Sequence, residues 1–443
     1  MVFNPTIYRS YDIRGVVPDE FDAQEAYHIG RAYAEFVGAQ KVVVARDMRP
    51  TGDAITEQLI KGLTEGGVDV ILIGMATTPL FYFSVHKLKA DGGLMVTASH
   101  NPGKYNGIKM TRAEAVPIGG NSGLLDIRDL VEKREWKDIA KQGSVSEADV
   151  REKYLDFVTE GVDASGLTIV ADAGNGMAGL LAEDYFKRIG ANVVPLYWEL
   201  DGSFPNHEAD PLTVKNRADA EAAVKEHKAD LGVMFDGDAD RVFFIDEHGA
   251  TIDGDITTAL IAQELLKQQP GSTILYDLRS SRAVKEVVKE AGGTASMSKV
   301  GHSNIKKQMR EENAIFAGEV SGHFYFAPWY AESAFYALSS VLKLKRESGK
   351  QLSELTKPIM RYAKTPEINF EVEDKDAALQ AMKKQYSDAE ILELDGVSVV
   401  YSDWWANVRA SNTEPLLRLN MEANKQELLD QKRMEIEGIL QGS

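Results

Sequence analysis

A short pattern recurs along the chain: an apolar run closed by an aspartate, a turn of small or polar residues, a helix, and a glycine before a second apolar run. The first copy reads KVVVARD at 41–47, a helix from about Ala54 to Glu65, then Gly66-Gly67-Val68 into VILIG. The second is LTIVAD at 167–172, Gly174-Asn175-Gly176, a helix to Arg188, Gly190 and ANVVPLY. The third is STILYD at 272–277, a turn over Arg279 to Ser281, a helix to Lys289, Gly292-Gly293, and a strand leading to Lys299. Continuous Val/Ile/Leu runs suit strands of a parallel sheet covered on both faces. Their alternation with helices predicts α/β domains. Three copies ending in Asp47, Asp172 and Asp277 suggest three related domains in series, although βαβ units also resemble one another for physical reasons alone.

After about Thr365 the texture changes. EINFEVED at 367–374 alternates as a half-exposed strand, a helix follows from about Asp376 to Gln385, and short strands flank a hairpin turn at Asp395-Gly396. RLNMEA and a final charged helix complete a smaller α+β domain. The expected architecture is three tandem α/β domains, with mixed and mainly parallel sheets, plus this C-terminal domain. The expected boundaries are 1–150, 151–253, 254–366 and 367–443. The length of 443 residues agrees, since roughly 100–200 residues per domain implies about three or four.

Composition narrows the class. Apolar residues make up 44% and charged residues 27%, a globular balance. No apolar run is long enough to span a bilayer, and Pro5, Arg9 and Asp12 stand where a signal peptide needs apolar residues. The chain has no cysteine, which excludes disulfides, thiol catalysis and thiolate metal sites, and the expected compartment is cytoplasmic. A net charge of −18 argues against nucleic-acid or anionic-membrane partners. A small anionic substrate remains compatible if basic residues gather locally.

Four loops carry candidate chemistry. In Thr97-Ala98-Ser99-His100-Asn101-Pro102, a serine ends a buried apolar stretch, which projects its hydroxyl from the carboxyl edge of a sheet. His100 and Lys109 could stabilise charge on a phosphate attached there. In Asp236-Gly237-Asp238-Ala239-Asp240-Arg241, alternate carboxylates share a face and repel unless a divalent cation sits among them; all-oxygen ligation suits Mg²⁺. Glu247 falls at the twelfth place of an EF-hand count, but Arg241 stands at the sixth, where that loop needs glycine. Gly318-Glu319-Val320-Ser321-Gly322-His323 offers a carboxylate, a hydroxyl and an imidazole suited to sugar hydroxyls. Arg409-Ala410-Ser411-Asn412-Thr413 gathers a guanidinium, hydroxyls and an amide suited to a phosphate. Arg14 and the Lys299–Ser303 segment add basic groups. Taken singly, the serine, Glu319 and Arg409 loops also read as ordinary polar turns, whereas the apolar strands on both sides of the aspartate loop argue against a mere solvated acidic turn there.

Together the loops resemble the α-D-phosphohexomutase family, in the phosphomannomutase/phosphoglucomutase branch. The likeness rests on YDIRG at 11–15, VARDMRPTG at 44–52, TASHNPGKYNGIK at 97–109, DGDADR at 236–241, GEVSGH at 318–323 and RASNTEPLLRLN at 409–420. It implies four domains around a central cleft and reversible interconversion of hexose 1-phosphate and 6-phosphate, of mannose or glucose, through phosphoserine and a hexose 1,6-bisphosphate. It also implies that the bisphosphate acts as activator. Residue by residue, Ser99 would carry the phosphate and join Asp236, Asp238 and Asp240 around Mg²⁺. Arg14, Lys109 and Arg241 would surround the transferring group, with His100 beside it. Tyr11, Arg279, Lys299, His302, Glu319, Ser321 and His323 would meet the sugar phosphate. Arg409, Ser411, Asn412 and Thr413 would hold the phosphate that is not reacting. Arg279 departs from the lysine common in relatives, and Val320 stands where the phosphoglucosamine branch typically has Gln. Phosphoglucosamine mutase, a phosphatase or bisphosphate synthase, and a non-catalytic sugar-phosphate sensor are the competing readings. Either Lys109 or His323 could serve as base, and monomer and homodimer remain equally open.

Overall fold

The computed structural model describes residues 3–327, 329–410 and 416–441. The chain divides into two compact bodies: Met1–Gly254 with Ser321–Ser353, and Asp255–Val320 with Glu354–Ser443.

In the first body, strands β1 (Ile13–Val16), β2 (Lys41–Arg46), β3 (Asp69–Met75), β4 (Gly92–Val96), β5 (Tyr105–Arg112) and β6 (Val145–Glu147) form one mixed sheet in the order β1-β5-β4-β2-β3-β6. The β4-β2-β3-β6 run is parallel, and β5 and β1 close one edge antiparallel. Val42, Val44, Leu94 and Val96 are fully buried, as their unbroken apolar runs require. Each such side chain contributes about 1.5–3 kcal/mol of burial. A second sheet has the order β11-β10-β9-β7-β8, from β7 (Thr168–Asp172), β8 (Asn192–Leu196), β9 (Leu231–Phe235), β10 (Val242–Ile245) and β11 (Thr251–Ile252). Here β8-β7-β9 is parallel, whereas β10 returns antiparallel to β9. A hairpin of that register must turn tightly, and Asp236 to Arg241 make the turn.

The second body holds β12 (Thr273–Asp277), β13 (Thr294–Ser298) and β14 (Phe316–Gly318), all parallel, with β12 between the other two. The third expected domain is shared: its strands Phe324–Phe326 (β15) and Ala331–Glu332 (β16) and its helix Ala334–Ser348 belong to the first body. The C-terminal sheet runs β17 (Ala363–Lys364), β22 (Leu416–Ala423), β21 (Trp404–Ala410), β20 (Val397–Val400) and β19 (Glu390–Leu392), all antiparallel, and β18 (Ile368–Glu371) also pairs with β22. Gly396 takes the left-handed φ of +71° that the β19–β20 hairpin needs.

The recurrent aspartates do one job three times. Each accepts, on Oδ1, the N–H two residues on: Asp47 from Arg49 at 3.0 Å, Asp172 from Gly174 at 2.8 Å, and Asp277 from Arg279 at 2.7 Å. This turn bends the chain sharply at the carboxyl edge of each sheet. The other oxygen meets a cationic or imidazole group, from Arg49, His207 or Arg279. The repetition seen as text is therefore a repetition of local hydrogen bonding. Among the described residues no helix is long and apolar enough to cross a membrane.

Candidate active site

Ser99 lies just beyond β4, its side chain almost fully buried. Its φ of +51° is left-handed, a conformation that costs a non-glycine residue on the order of 1 kcal/mol or more and must be held by its surroundings. Arg49 holds it. This arginine is 1% exposed, and its guanidinium donates to the carbonyls of Ser99, Asn101, Pro102 and Tyr105 at 2.6–2.9 Å while Asp47 balances its charge. The Ser99 N–H in turn donates to Thr97 Oγ1 at 2.9 Å.

The hairpin after β9 brings its carboxylates to this serine. Ser99 Oγ donates to Asp236 Oδ2 at 3.1 Å, and Gly237 lies so close that a Cβ there would sit 2.5 Å from the Ser99 carbonyl oxygen. Asp236 Oδ1 accepts the N–H groups of Asp240 and Arg241, both at 3.1 Å, which closes the turn. Asp236, Asp238 and Asp240 each place one oxygen within 4.8 Å of the others, and all three are buried. Asp238 Oδ2 accepts from Thr78 Oγ1 at 2.7 Å, while its buried Oδ1 has no hydrogen-bond partner among the described residues. Burial, with Asp240 and Asp238 alongside, pushes the Asp236 carboxyl well above its ordinary range. A cluster of oxygen donors, one of them orphaned and one poorly tolerated as an anion, fits a hard divalent cation.

Several basic groups surround the carboxylates. Lys109, on β5, reaches Asp240 at 2.6 Å and Asp238 at 3.1 Å. Burial opposes its charge, but these two partners outweigh that and hold the ammonium well above its usual range. Asp240 is correspondingly held well below the carboxylate range: burial works against this, yet Lys109, His323 and Arg241 prevail. Arg241 Nε lies 3.7 Å from Asp236 and 3.3 Å from His323 Nε2, and its Nη1 lies 3.8 Å from Asp210. His323 Nε2 is also 3.3 Å from Asp240, and Nδ1 is 2.9 Å from Ser321 Oγ. One nitrogen cannot both accept from Arg241 and donate to Asp240, so its protonation decides which bond it makes. His100 Nδ1 lies 3.1 Å from Ser99 Oγ. Burial, then Arg241 and Arg14, push its pKa well below the imidazole range, so it is neutral. With the serine proton directed at Asp236, His100 can join only as an Nδ1–H donor. Arg14, on β1, bonds Asn101 Oδ1 and Asp12 and so borders the serine loop; Tyr11 is half-buried in the turn before it.

In the second body a different cluster forms. The Arg279 guanidinium makes two hydrogen bonds to Asp277, at 2.9 and 3.1 Å, and lies 3.9 Å from both Glu319 and Glu367. Arg409, at the end of β21, donates to Glu367 Oε2 at 2.9 Å; Asn420 reaches the same oxygen at 3.2 Å, and Arg418 lies 3.4 Å from Oε1. Glu319 is buried and accepts the Gly301 N–H at 3.0 Å, tying the end of β14 to the helix that starts at His302. Lys299 is exposed at the end of β13. Ser411, Asn412 and Thr413 lie outside the described residues.

Comparison with known proteins decides the family. Models of phosphoglucomutase/phosphomannomutase alpha/beta/alpha domains I, II and III match residues 5–138, 152–249 and 253–362, and the C-terminal domain model matches 367–439. The chain belongs to the phosphoglucomutase/phosphomannomutase family. It is 38% identical over 441 residues to a phosphomannomutase of Methanocaldococcus jannaschii, covering 98% of this chain and 97% of the other. It is 40% identical over 447 residues to a Xanthomonas campestris protein named phosphohexose mutases, covering 98% and 99%. A crystal structure of a phosphoglucomutase/phosphomannomutase family protein from Burkholderia thailandensis superposes with a TM-score of 0.92 at 33% identity, over 99% of this chain and 98% of that one. Members of this family are phosphohexomutases, and this one is an enzyme of the same class. Arg49 lies within the family segment 44–52 but has no role legible in the sequence, and neither do Thr78, Asp210 and Glu367. The signal for Arg49 was an arginine two residues beyond a strand-ending aspartate, a spacing repeated at Asp277 and Arg279.

Proposed function

We infer that this chain interconverts hexose 1-phosphate and hexose 6-phosphate, of mannose and/or glucose, through a phosphoserine at Ser99. The observation that carries the reading is the Ser99 hydroxyl, bonded to one carboxylate of a buried aspartate triad that Lys109 and Arg241 also meet, with His100 beside it. Phosphoryl transfer passes through a loose transition state in which charge spreads over the equatorial oxygens, so catalysis is mainly positioning and electrostatics. Asp236, Asp238 and Asp240 are the residues that would hold Mg²⁺ beside the serine oxygen, where it would supply Lewis-acid polarisation of the phosphoryl oxygens.

In the proposed cycle the Oγ–P bond of phospho-Ser99 breaks as the sugar's free hydroxyl forms its own bond to phosphorus. The result is a hexose 1,6-bisphosphate. Its other phosphate then returns to Ser99 by the reverse displacement. Added bisphosphate would activate by restoring phosphate to an empty serine. Arg14, Lys109 and Arg241 act as fixed positive charge around the group in transit. The attacking hydroxyl must lose a proton. In this arrangement Lys109 is held as an ammonium between two carboxylates and has no lone pair to offer, whereas His323 Nε2 accepts from Arg241 and can exchange that bond for a proton and then donate to Asp240. We assign the base to His323 on that ground. Glu319 and Ser321 offer groups suited to sugar hydroxyls, and Arg409 with Arg279 offers guanidinium donors for the phosphate that stays in place.

The test is Ser99→Ala with mass analysis. Incubating wild type with glucose 1,6-bisphosphate should add one phosphate to the intact protein and the variant should gain none, while mutase turnover falls by roughly four or more orders of magnitude. Label on another residue would reassign the nucleophile. Inorganic phosphate released faster than the isomer forms would replace the mutase reading with a phosphatase.

A further inference from the structure

The arginine cluster of the second body contains its own anion. Among the described residues, the guanidiniums of Arg279, Arg409 and Arg418 face the carboxylates of Asp277, Glu319 and Glu367, and the positive and negative charges cancel. A phosphate dianion arriving at Arg409 therefore enters a neutral cluster unless one acid gives way. The three acids are not equally able to do so. The Asp277 side chain is wholly buried and closes its own turn, and Glu319 is 3% exposed and holds the Gly301 N–H. The Glu367 side chain is 28% exposed and stands just outside the ladder, between the Thr365 N–H bond to Met421 and the first residue of β18. It also takes the closest Arg409 contact, through Oε2, the oxygen that Asn420 shares.

We propose that Glu367 is the resting counter-anion of the phosphate cradle: it holds Arg409, Arg418 and Arg279 in register before substrate binds, and it yields its place when a phosphate dianion arrives. This rests on the reading of Arg409 as a phosphate-holding residue and adds a positioning residue to it. The chemistry follows from sign. A carboxylate beside a guanidinium preserves the geometry of an empty site, because unpaired buried arginines would repel one another and spread. The same carboxylate repels the incoming phosphate, so affinity is kept moderate. A mutase needs that moderation, since its bisphosphate must loosen from the cradle and present its other end. The direction of the Glu367 titration agrees: burial acts against ionisation, but Arg279, Arg409, Asn420 and Arg418 outweigh it and keep the carboxyl below its ordinary range.

The experiment is titration of inorganic phosphate into full-length wild type, Glu367→Gln, Glu367→Asp and Arg409→Ala, read by calorimetry, with steady-state kinetics on glucose 1-phosphate alongside. Glutamine keeps the shape and an acceptor for Asn420 but removes the charge. The Arg409-dependent phosphate affinity should tighten about tenfold (~1.4 kcal/mol), with KM falling and kcat falling too as the intermediate is held longer. Glu367→Asp, which keeps the charge, should show no such tightening. Unchanged or weaker phosphate binding in Glu367→Gln, with Arg409→Ala still weakening it, overturns the counter-anion role and leaves the cradle intact. Phosphate binding that Arg409→Ala does not weaken overturns the cradle itself, and this inference with it. Should Glu367→Gln fail to fold, Glu367→Met tests the same removal of charge, and the same two outcomes decide.

Discussion

The molecule gathers charge of opposite sign in two places and treats the two differently. In the first body Asp236, Asp238 and Asp240 converge, and in the second Arg279, Arg409 and Arg418 do. Both clusters hold counter-charges of their own, the first Lys109 and Arg241, the second Asp277, Glu319 and Glu367. They differ in what fixes them. The carboxylates sit on a tight hairpin whose backbone is pinned: Asp236 takes two N–H groups, Ala239 and Ser99 hold left-handed φ of +57° and +51°, and Gly237 presses on the Ser99 carbonyl. The arginines project from β21, β22 and the turn after β12 toward a glutamate whose side chain is 28% exposed and which lies just outside the ladder. Chemistry at a single serine needs a fixed frame, because misplacement by about 1 Å can cost 10²-fold. Holding a phosphate that must later let go suits a frame that gives.

The largest break in this comparison comes from removing charge on the rigid side. Asp238→Asn leaves the Thr78 bond an acceptor but removes the negative charge at the orphaned oxygen, so mutase activity should drop about 10³-fold. Mn²⁺ titration followed by electron paramagnetic resonance should show metal affinity lost in parallel. Activity lost with metal binding intact would mean that Asp238 serves Lys109 and Thr78, and not a cation.

Much of this contrast was legible as text, and the illegible part has a common cause. The recurrent strand, aspartate turn and helix are local, so apolar runs and turn residues announce them. The alternate aspartates declare themselves because hairpin geometry converts spacing into convergence. Arg49 does not, since an arginine in a turn reads as surface. Its burial depends on carbonyls at Ser99, Asn101, Pro102 and Tyr105 that only the folded loop presents. Thr78 is silent for the same reason, because its partner Asp238 comes from another sheet. Glu367 opens an alternating segment that reads as a plain half-exposed strand, and three arginines from separate strands and turns give it meaning. The sharing of the third α/β unit between two bodies is likewise a matter of long-range packing. Groups whose role lies in their own loop are readable, and groups that serve another loop are not.

A smaller break, still on the rigid side, moves atoms without touching charge. Gly237→Ala would put a methyl 2.5 Å from the Ser99 carbonyl oxygen, a backbone atom that Arg49 also holds, so one of the two loops must shift. We expect kcat to fall about 10²-fold with KM changed little. Phosphorylation by the bisphosphate should slow in step, because the same displacement moves the nucleophile. A variant with wild-type kcat would show the hairpin to be softer than its hydrogen bonds imply, and the contrast drawn here would shrink.

The smallest effect belongs to the adaptable side. Arg409→Ala removes the guanidinium closest to Glu367 but leaves Arg279 and Arg418 within 4 Å of the same carboxylate, at 3.9 and 3.4 Å. A cluster that can rearrange should redistribute the load, so KM for glucose 1-phosphate should rise about tenfold, ~1.4 kcal/mol, with kcat changed less. That pattern is the signature of binding lost equally in ground state and transition state. The reverse pattern, an unchanged KM with a large loss in kcat, would place Arg409 in the transfer step and make the second cluster as exacting as the first. The two regions would then differ in sign of charge alone, and the argument that one holds still so that the other can let go would have to be abandoned.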